Sequence, residues 1–308
     1  MRSWRYRWIG RLRTGEEVTI PTRFVLRLVI EREDMVRPRH LRALVSSLIE
    51  PLDGGKTAHR ANIKPFSIEP LRGAEGRLAI VINMLDEASE HHLNASVVQA
   101  TAVGRPLSLG DASVRLDDPP LVEVERRSWT QLRLCAADTR RLTLRFESPT
   151  VFRRGRFQQH PFPVPDRVFG PYRDRWNYFA AGLSRSEQPL DDRSEHGVDG
   201  DEASRLVCPP LLDDDLGLTV TDFDGEPQHY DDGHYDPRRG RIVDVSYVGY
   251  VGTVTFEVRG RQPRPAVRRW LHTLAAFGEF CGTGANTTIG MGVTRYLGPD
   301  PAGDLATG

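Results

Sequence analysis

His59 stands between Lys56 and Lys64, the only two lysines in a chain whose other 40 cationic residues are arginine. An imidazole with an unperturbed pKa of about 6.5 gives or takes a proton near neutrality, which suits it to general acid or base work. A lysine is a compact point charge that an arginine fork does not replace. Lys64, at the expected start of a strand, could approach a phosphate and stabilise charge that develops there during reaction. Lys56 could contact a phosphate as well. The plain alternative is a loop histidine beside two solvated charges.

A second concentration of chemistry lies near the C-terminus. GEFCGTGANTTIGMGVTR, residues 278–295, sets Gly278, Gly282, Gly284, Gly290 and Gly292 between an expected helix and an expected final strand. Glycine lets the backbone approach a ligand closely, and consecutive N–H groups can face phosphate oxygens. No Gly-Lys-Ser/Thr follows, and a helix rather than a strand precedes, so this is not a phosphate loop of the nucleotide-hydrolase type and a nucleotide cofactor is disfavoured. Taken alone, tight-turn packing explains such a loop. Arg153, Arg154 and Arg156 fall on a further loop, where guanidinium forks could hold phosphates of a bound strand. Phe152, Phe157 and Phe162 could stack on bases, although an aromatic beside proline more often packs in a core.

These groups need elements to hold them. FVLRLVI (24–30) reads as a strand, and Pro38 opens RHLRALVSSLI, with apolar residues at helical spacing up to Pro51. Asp53-Gly54-Gly55 makes the loop into His59. Residues 63–71 and 78–85 read as strands, 86–99 as a helix and 121–125 as a strand, giving the order βαββαβ. A second pass begins with the alternating RLTLRFES after Arg140, and a helix over 166–183 is broken or delayed by Pro171. Strands follow at 216–223, 242–247 and 253–258, then an amphipathic helix over 266–280 and a strand at 294–297. The expected fold is α+β, two tandem ferredoxin-like, RNA-recognition-motif-like βαββαβ domains at 20–130 and 138–300. The second carries an acidic insertion, 183–240, and the Gly-rich loop, 282–292. Within the insertion, 185–202 reads as a solvated loop and 222–236, with His229, His234 and several aspartates, as a mobile hairpin tip rather than a metal site.

Composition bounds the function. At 308 residues two packed domains are the natural expectation. Basic and acidic side chains balance at 42 each, which argues at first against a nucleic-acid binder. The balance is local, however: residues 183–240 carry 5 basic and 16 acidic side chains, and the rest of the chain 37 and 26. An acidic insertion facing away would leave a basic body. Cys135, Cys208 and Cys281 are widely spaced, without a CxxC pair, and read as reduced thiols with neither a disulfide framework nor a metal site. No apolar run reaches membrane-span length and the N-terminus lacks a signal-peptide core, so a cytoplasmic protein with no membrane partner is expected.

The pattern GxGxxTxxGMG from Gly282, behind the aromatic helix 270–280, resembles the C-terminal signature of the CRISPR-associated repeat endoribonucleases of the sixth Cas family. FESPTVFRRGRF (146–157), the following Pro163, Pro165, Val168, Phe169 and Trp176-Asn177, and YVGTVTF (250–256) are similar to the same family's second domain. HRANIKPFSIEPL (59–71) resembles, more thinly, its catalytic-histidine stretch. The resemblance implies tandem ferredoxin-like domains and cleavage of CRISPR repeat RNA in a precursor guide transcript, without metal or cofactor.

In such chemistry a base takes the 2′-hydroxyl proton, an acid protonates the 5′-oxygen, and positive charge stabilises the pentacovalent phosphate, leaving a 2′,3′-cyclic phosphate. The resemblance assigns His59 to proton transfer and Lys64 to charge stabilisation. Many relatives add a tyrosine or serine from the first helix. This chain has no tyrosine between Arg37 and Glu50, and Ser46, Ser47 and His40 are the available substitutes. Gly282, Thr283, Gly284, Asn286 and Thr287 are the implied RNA contacts, with the three arginines and Lys56. Two rival readings stay open. One is a non-catalytic repeat-RNA-binding subunit of a CRISPR effector complex, and the other an unrelated duplication that binds a small anion at the glycine loop.

Overall fold

The computed structural model describes residues 20–30, 36–50, 63–72, 76–104, 106–110, 112–134, 136–154, 158–181, 206–211, 217–236, 240–260 and 265–299. His59, Lys56, Arg156, Phe157 and Cys135 lie outside them.

The first half builds one five-stranded antiparallel sheet. Its elements are β1 (Thr22–Ile30), α1 (Pro38–Ile49), β2 (Phe66–Arg72), β3 (Arg77–Met84), α2 (Glu87–Val103), β4 (Leu107–Leu109) and β5 (Ala112–Arg126). The strand order is β2-β3-β1-β5-β4, so β1 sits between β3 and β5 as the ferredoxin-like plan requires. In β1 buried and half-exposed residues alternate without a break. Phe24, Leu26, Leu28 and Ile30 join Leu41, Leu44, Val45 and Leu48 of α1 and Leu93 and Val97 of α2 in one core. The period-2 strand and the 3.6-period helix thus bury matching faces. Arg23 falls on the opposite face of the sheet.

After the short α3 (Trp129–Leu134), the second half repeats the plan. It contains β6 (Arg141–Thr150), the ribbon β7 (Phe152–Arg154) and β8 (Gln158–His160), α4 (Pro165–Phe179), β9 (Leu218–Asp236), β10 (Arg241–Val258), α5 (Pro265–Cys281) and β11 (Thr294–Pro299). The four-stranded order β11-β6-β10-β9 is again ferredoxin-like. Leu142, Leu144 and Phe146 of β6 and Val254, Phe256 and Val258 of β10 pack beneath Trp176 of α4 and Trp270, Leu274 and Phe277 of α5. Trp176 meets Trp129, Trp270 and Phe277 edge-on at 5.1, 5.6 and 5.5 Å between ring centres, a favoured aromatic geometry. The α+β reading with two ferredoxin-like units therefore holds.

Three local expectations change. Residues 242–247 and 253–258 are one strand, β10, which pairs with β9 from Arg241↔Asp236 to Val258↔Leu218. Residues 222–236 are accordingly strand rather than hairpin tip, because the outermost strand of a sheet needs no buried face and tolerates charge on both sides. Pro171 lies inside α4 without ending it.

Candidate nucleic-acid interface

The glycine loop is a folded turn. Gly282, Gly284, Gly290 and Gly292 have φ of 66, 76, 90 and 69°, and Asn286 is also left-handed at 64°. At Gly292 an added Cβ would lie 1.9 Å from the Thr283 carbonyl oxygen, and at Gly284 2.5 Å from that of Val151. Glycine is required there by both conformation and space. The amide of Thr283 donates to the Gly292 carbonyl at 2.8 Å, that of Ala285 to Val151 at 2.8 Å and that of Gly292 to Pro149 at 3.2 Å. Several N–H groups that a phosphate could have used thus already close the loop.

Two side chains of α4 hold the loop from behind. Arg175 donates to the carbonyl of Cys281 at the end of α5, and through Nη2 to the Thr287 hydroxyl at 3.2 Å. Capping the last carbonyls of a helix with a guanidinium is favourable for both hydrogen bonding and the helix dipole. The Tyr172 hydroxyl bonds that of Thr283, which bonds Thr294 at 2.6 Å. Burial pushes the Tyr172 phenol well above its ordinary range, so it stays a neutral hydroxyl. Thr283 and Thr287 are buried, at 0% and 2% exposure, and their hydroxyls serve the loop itself. Sequence reading missed Arg175 and Tyr172. Their signal was present in the apolar spacing Val168, Phe169, Tyr172 and Trp176, which turns that face of α4 toward α5.

From the front, the Thr287–Ile289 turn lies against β2 and α1 of the first domain. A Cβ at Gly290 would come within 2.7 Å of Pro70 Cδ in β2. Ile289 and Met291 form a small cluster with Val151, Tyr230 and Tyr247, and the Tyr230 hydroxyl donates to the Ile289 carbonyl. The strand once expected to be a mobile tip braces the loop instead.

The two sheets meet through a buried polar network. Arg295 of β11 grips Glu69 of β2 with both guanidinium nitrogens, at 3.1 and 2.5 Å. Ser67 donates to the Phe280 carbonyl at 2.6 Å, and Arg23 to that of Glu279 at 2.9 Å. Arg23 also lies over the Phe280 ring, 5.0 Å from its centre. Asn83 joins Ser67 and Glu69 at 3.0 and 3.1 Å. The first domain's helix-free face and the α5–loop–β11 corner are thereby fixed to one another.

Of the candidate catalytic groups, Lys64 stands just ahead of β2. Its pKa is lowered, first by partial burial and then by the nearby charge of Arg42 on α1. Ser46 is buried in α1, and Ser47 is exposed, donating back to the Leu44 carbonyl at 2.7 Å. The His40 ring accepts from the Arg37 amide at 3.2 Å through Nδ1 and packs against Gly110, where a Cβ would lie 2.5 Å away. It closes the start of α1. Arg153 is exposed on β7 and donates to Asn286 Oδ1 at 3.2 Å, which ties the arginine ribbon to the glycine loop. Arg154 lies on the same strand.

Cys208 and Cys281 are buried free thiols; burial pushes Cys281 up to about 11. Among the described residues no group of three or more His, Cys, Asp or Glu could hold a metal ion. No helix among them is long and apolar enough to cross a membrane.

The same architecture occurs in solved structures. A Cas6 protein (TTHB231) in a product complex superposes with a TM-score of 0.65 at 24% identity, covering 90% of this chain and 99% of that one. A second Cas6 (TTHA0078), also a product complex, gives 0.61 at 23% identity over 90% and 98%. Thermus thermophilus Cas6 (TTHB231) gives 0.55 at 22% over 92% and 100%. At such identities the likeness speaks for the fold. No curated protein matches the sequence. The model of the CRISPR-associated endoribonuclease Cas6 family matches residues 144–294, a span running from β6 through the ribbon, α4 and the glycine loop to the start of β11. Residues 144–294 of the chain thus match the Cas6 family of CRISPR-associated endoribonucleases, and the chain as a whole has the architecture of solved Cas6 proteins.

Proposed function

We propose that this protein binds CRISPR repeat RNA and cuts it in the precursor transcript by attack of a 2′-hydroxyl, without a metal ion, to leave a 2′,3′-cyclic phosphate. The observation that carries the reading is the family match over residues 144–294, which includes the glycine loop. Cas6 structures with the same fold hold a product and a substrate mimic, in keeping with a substrate site on this architecture.

In this reading RNA lies along the arginine ribbon and the glycine loop, where Arg153 is tethered to Asn286, and passes toward the head of β2. There Lys64 faces the phosphate. Its lowered pKa reflects an ammonium that is partly stripped of water and lies close to a second cation, and an approaching phosphate dianion in the transition state relieves that penalty. His59, five residues before Lys64, moves the proton. Its assignment rests on the sequence motif.

Repeat RNA incubated with the protein in excess EDTA should give two fragments, the upstream one ending in a cyclic phosphate that blocks 3′ ligation until a phosphatase acting on cyclic ends removes it. A free 3′-hydroxyl, or cutting that stops in EDTA, contradicts the mechanism. Tight binding without cutting favours a repeat-binding subunit, a reading that the absence of a tyrosine between Arg37 and Glu50 supports.

A further inference from the structure

β9 is the outermost strand of the second sheet, and among the described residues nothing pairs with its far side. From Leu218 to Glu226 that edge offers backbone N–H and C=O groups to a further strand, and proteins cover or guard such edges. Pro227 ends the stretch, since it has no N–H to offer. The two faces of the stretch differ in chemistry. Phe223 stands opposite the buried Val254 and so lies on the helix side, whereas Asp222, Asp224 and Glu226 stand opposite Thr255, Thr253 and Val251 on the other side.

Beside Phe223 runs a groove of about 500 Å³, walled by Phe162, Pro163 and Val164 ahead of α4, by Val220 and Phe223 of β9, and by Tyr250. Phe223 and Phe162 are 58% and 50% exposed, and their rings meet edge-on at 6.2 Å. Clustered apolar surface of this kind marks a place of contact. On the opposite face Asp222, Asp224 and Glu226 are exposed, and none of them has an ion-pair partner among the described residues. A base could stack on the two rings, but β9 carries six carboxylates and neither lysine nor arginine, which repels a phosphate backbone.

Cross-strand neighbours in a sheet share a face. The edge therefore fits an extended segment with aromatic side chains on one face and cations on the other. The chain's own N-terminal region has that pattern: Trp4-Arg5-Tyr6-Arg7-Trp8 alternates aromatic and arginine residues with the period of a strand, and it lies outside the described residues. The connecting chain is long enough. Ile20 packs in the same core as Trp129 and Trp176. From Trp176 to the groove at the start of α4 is about 16 Å along the helix, plus about 10 Å for the helix width. The twelve residues from Trp8 to Ile20 extend to about 40 Å.

We propose that residues 4–8 of the same molecule add to the outer edge of β9 as a fifth strand, with Trp4, Tyr6 and Trp8 over the Phe162–Phe223 groove and Arg5 and Arg7 against Asp222, Asp224 and Glu226. The added strand covers both the open edge and the apolar groove, and its docking is independent of any RNA.

Hydrogen exchange of the full-length protein, read by mass spectrometry on peptides covering 218–226, tests the docking. In the unaltered protein the outward amides of β9 should exchange as slowly as the inward ones that bond β10. Arg5→Glu with Arg7→Glu should speed the outward amides by on the order of tenfold or more. Adding Asp222→Arg with Asp224→Arg to that variant should restore slow exchange. Replacing Trp4, Tyr6 and Trp8 together by serine should release the same amides. Free exchange of the outward amides in the unaltered protein, protection that ignores the substitutions at 4–8, or a charge swap that fails to restore it overturns the docking and leaves the carboxylates as guards of an open edge. Protection that grows with protein concentration assigns the edge to a second copy, and protection that appears only with RNA assigns the groove to a base; either result also overturns it.

Discussion

Arg295 and Glu69 lie 226 residues apart in sequence, yet meet in a two-point ion pair whose shorter contact is 2.5 Å. Glu69 is almost wholly buried, with 6% of its side chain exposed, and Arg295 has 26% exposed. The pair joins the strand that follows Lys64 to the strand that follows the glycine loop, so it fixes the distance between the proposed chemical groups and the proposed RNA cradle. The Glu69 carboxylate also draws Arg23 to 3.6 Å. Glu69→Ala should therefore lower stability by about 1–3 kcal/mol, because it strips the two-point partner from the half-buried Arg295, which keeps the Glu147 carboxylate 3.2 Å from its Nε. Urea denaturation checks the magnitude. Glu69→Gln, which keeps one acceptor, should cost less.

Arg175 tests how far the loop depends on its support. Arg175→Ala strips the cap from the end of α5 and the donor from Thr287, and should weaken repeat-RNA binding about tenfold for a loss of roughly 1–3 kcal/mol in folding stability. Arg175→Lys, which cannot bridge both partners, should recover stability more than affinity. Filter binding and thermal melts on the same preparations separate the two effects.

Lys64 is expected to trade stability against activity. A lowered pKa means that the ammonium is worse off folded than unfolded, so the folding penalty is present at neutral pH and disappears as the pH rises through the folded value toward the ordinary 10.5. Lys64→Met should leave the neutral-pH melting point level or raise it, while the single-turnover cleavage rate falls by roughly 10² or more. A fall in both would mark Lys64 as a structural residue.

Glu279 at the domain junction supplies a pH signature. Burial raises its carboxyl pKa, and the opposing hydrogen bond from the Tyr296 amide and the charges of Arg127 and Arg23 are smaller influences. The folded state thus holds the proton more tightly than the unfolded chain, and Glu279 costs stability as pH rises from about 4.5 through its folded pKa. Glu279→Gln keeps an oxygen for the Tyr296 amide. Its melting point should match the parent's near pH 4 and exceed it at pH 7; a constant difference across that range contradicts the assignment.

The sequence showed the frame more clearly than the joints. The first helix was legible to the residue at its start, because Pro38 and the spacing of Leu41, Leu44, Val45 and Leu48 are local signals that the core then uses. The long β9–β10 hairpin was not. Gly249 and Gly252 fall in the gap between the expected strands 242–247 and 253–258, and in the fold they allow close approach of the neighbouring strands: a Cβ at Gly249 would lie 2.6 Å from the Thr150 amide, and one at Gly252 2.3 Å from the Asp224 carbonyl. Phe162, weighed as a core residue, is 50% exposed. The Glu69–Arg295 lock left no trace, since a partner hundreds of residues away has no period or spacing. The glycine pattern marked a loop whose turns do require glycine, while Arg175 and Tyr172, which hold it, stayed hidden in what read as a helix broken or delayed by Pro171.

The most direct test of the account compares single-turnover cleavage of repeat RNA in excess EDTA by the unaltered protein, by His59→Ala, and on an RNA with 2′-deoxyribose upstream of the cut. The account predicts cleavage only by the unaltered protein on the all-ribose RNA, with binding retained in all three. Cleavage by His59→Ala at the parent rate, or of the deoxy-substituted RNA, would contradict it.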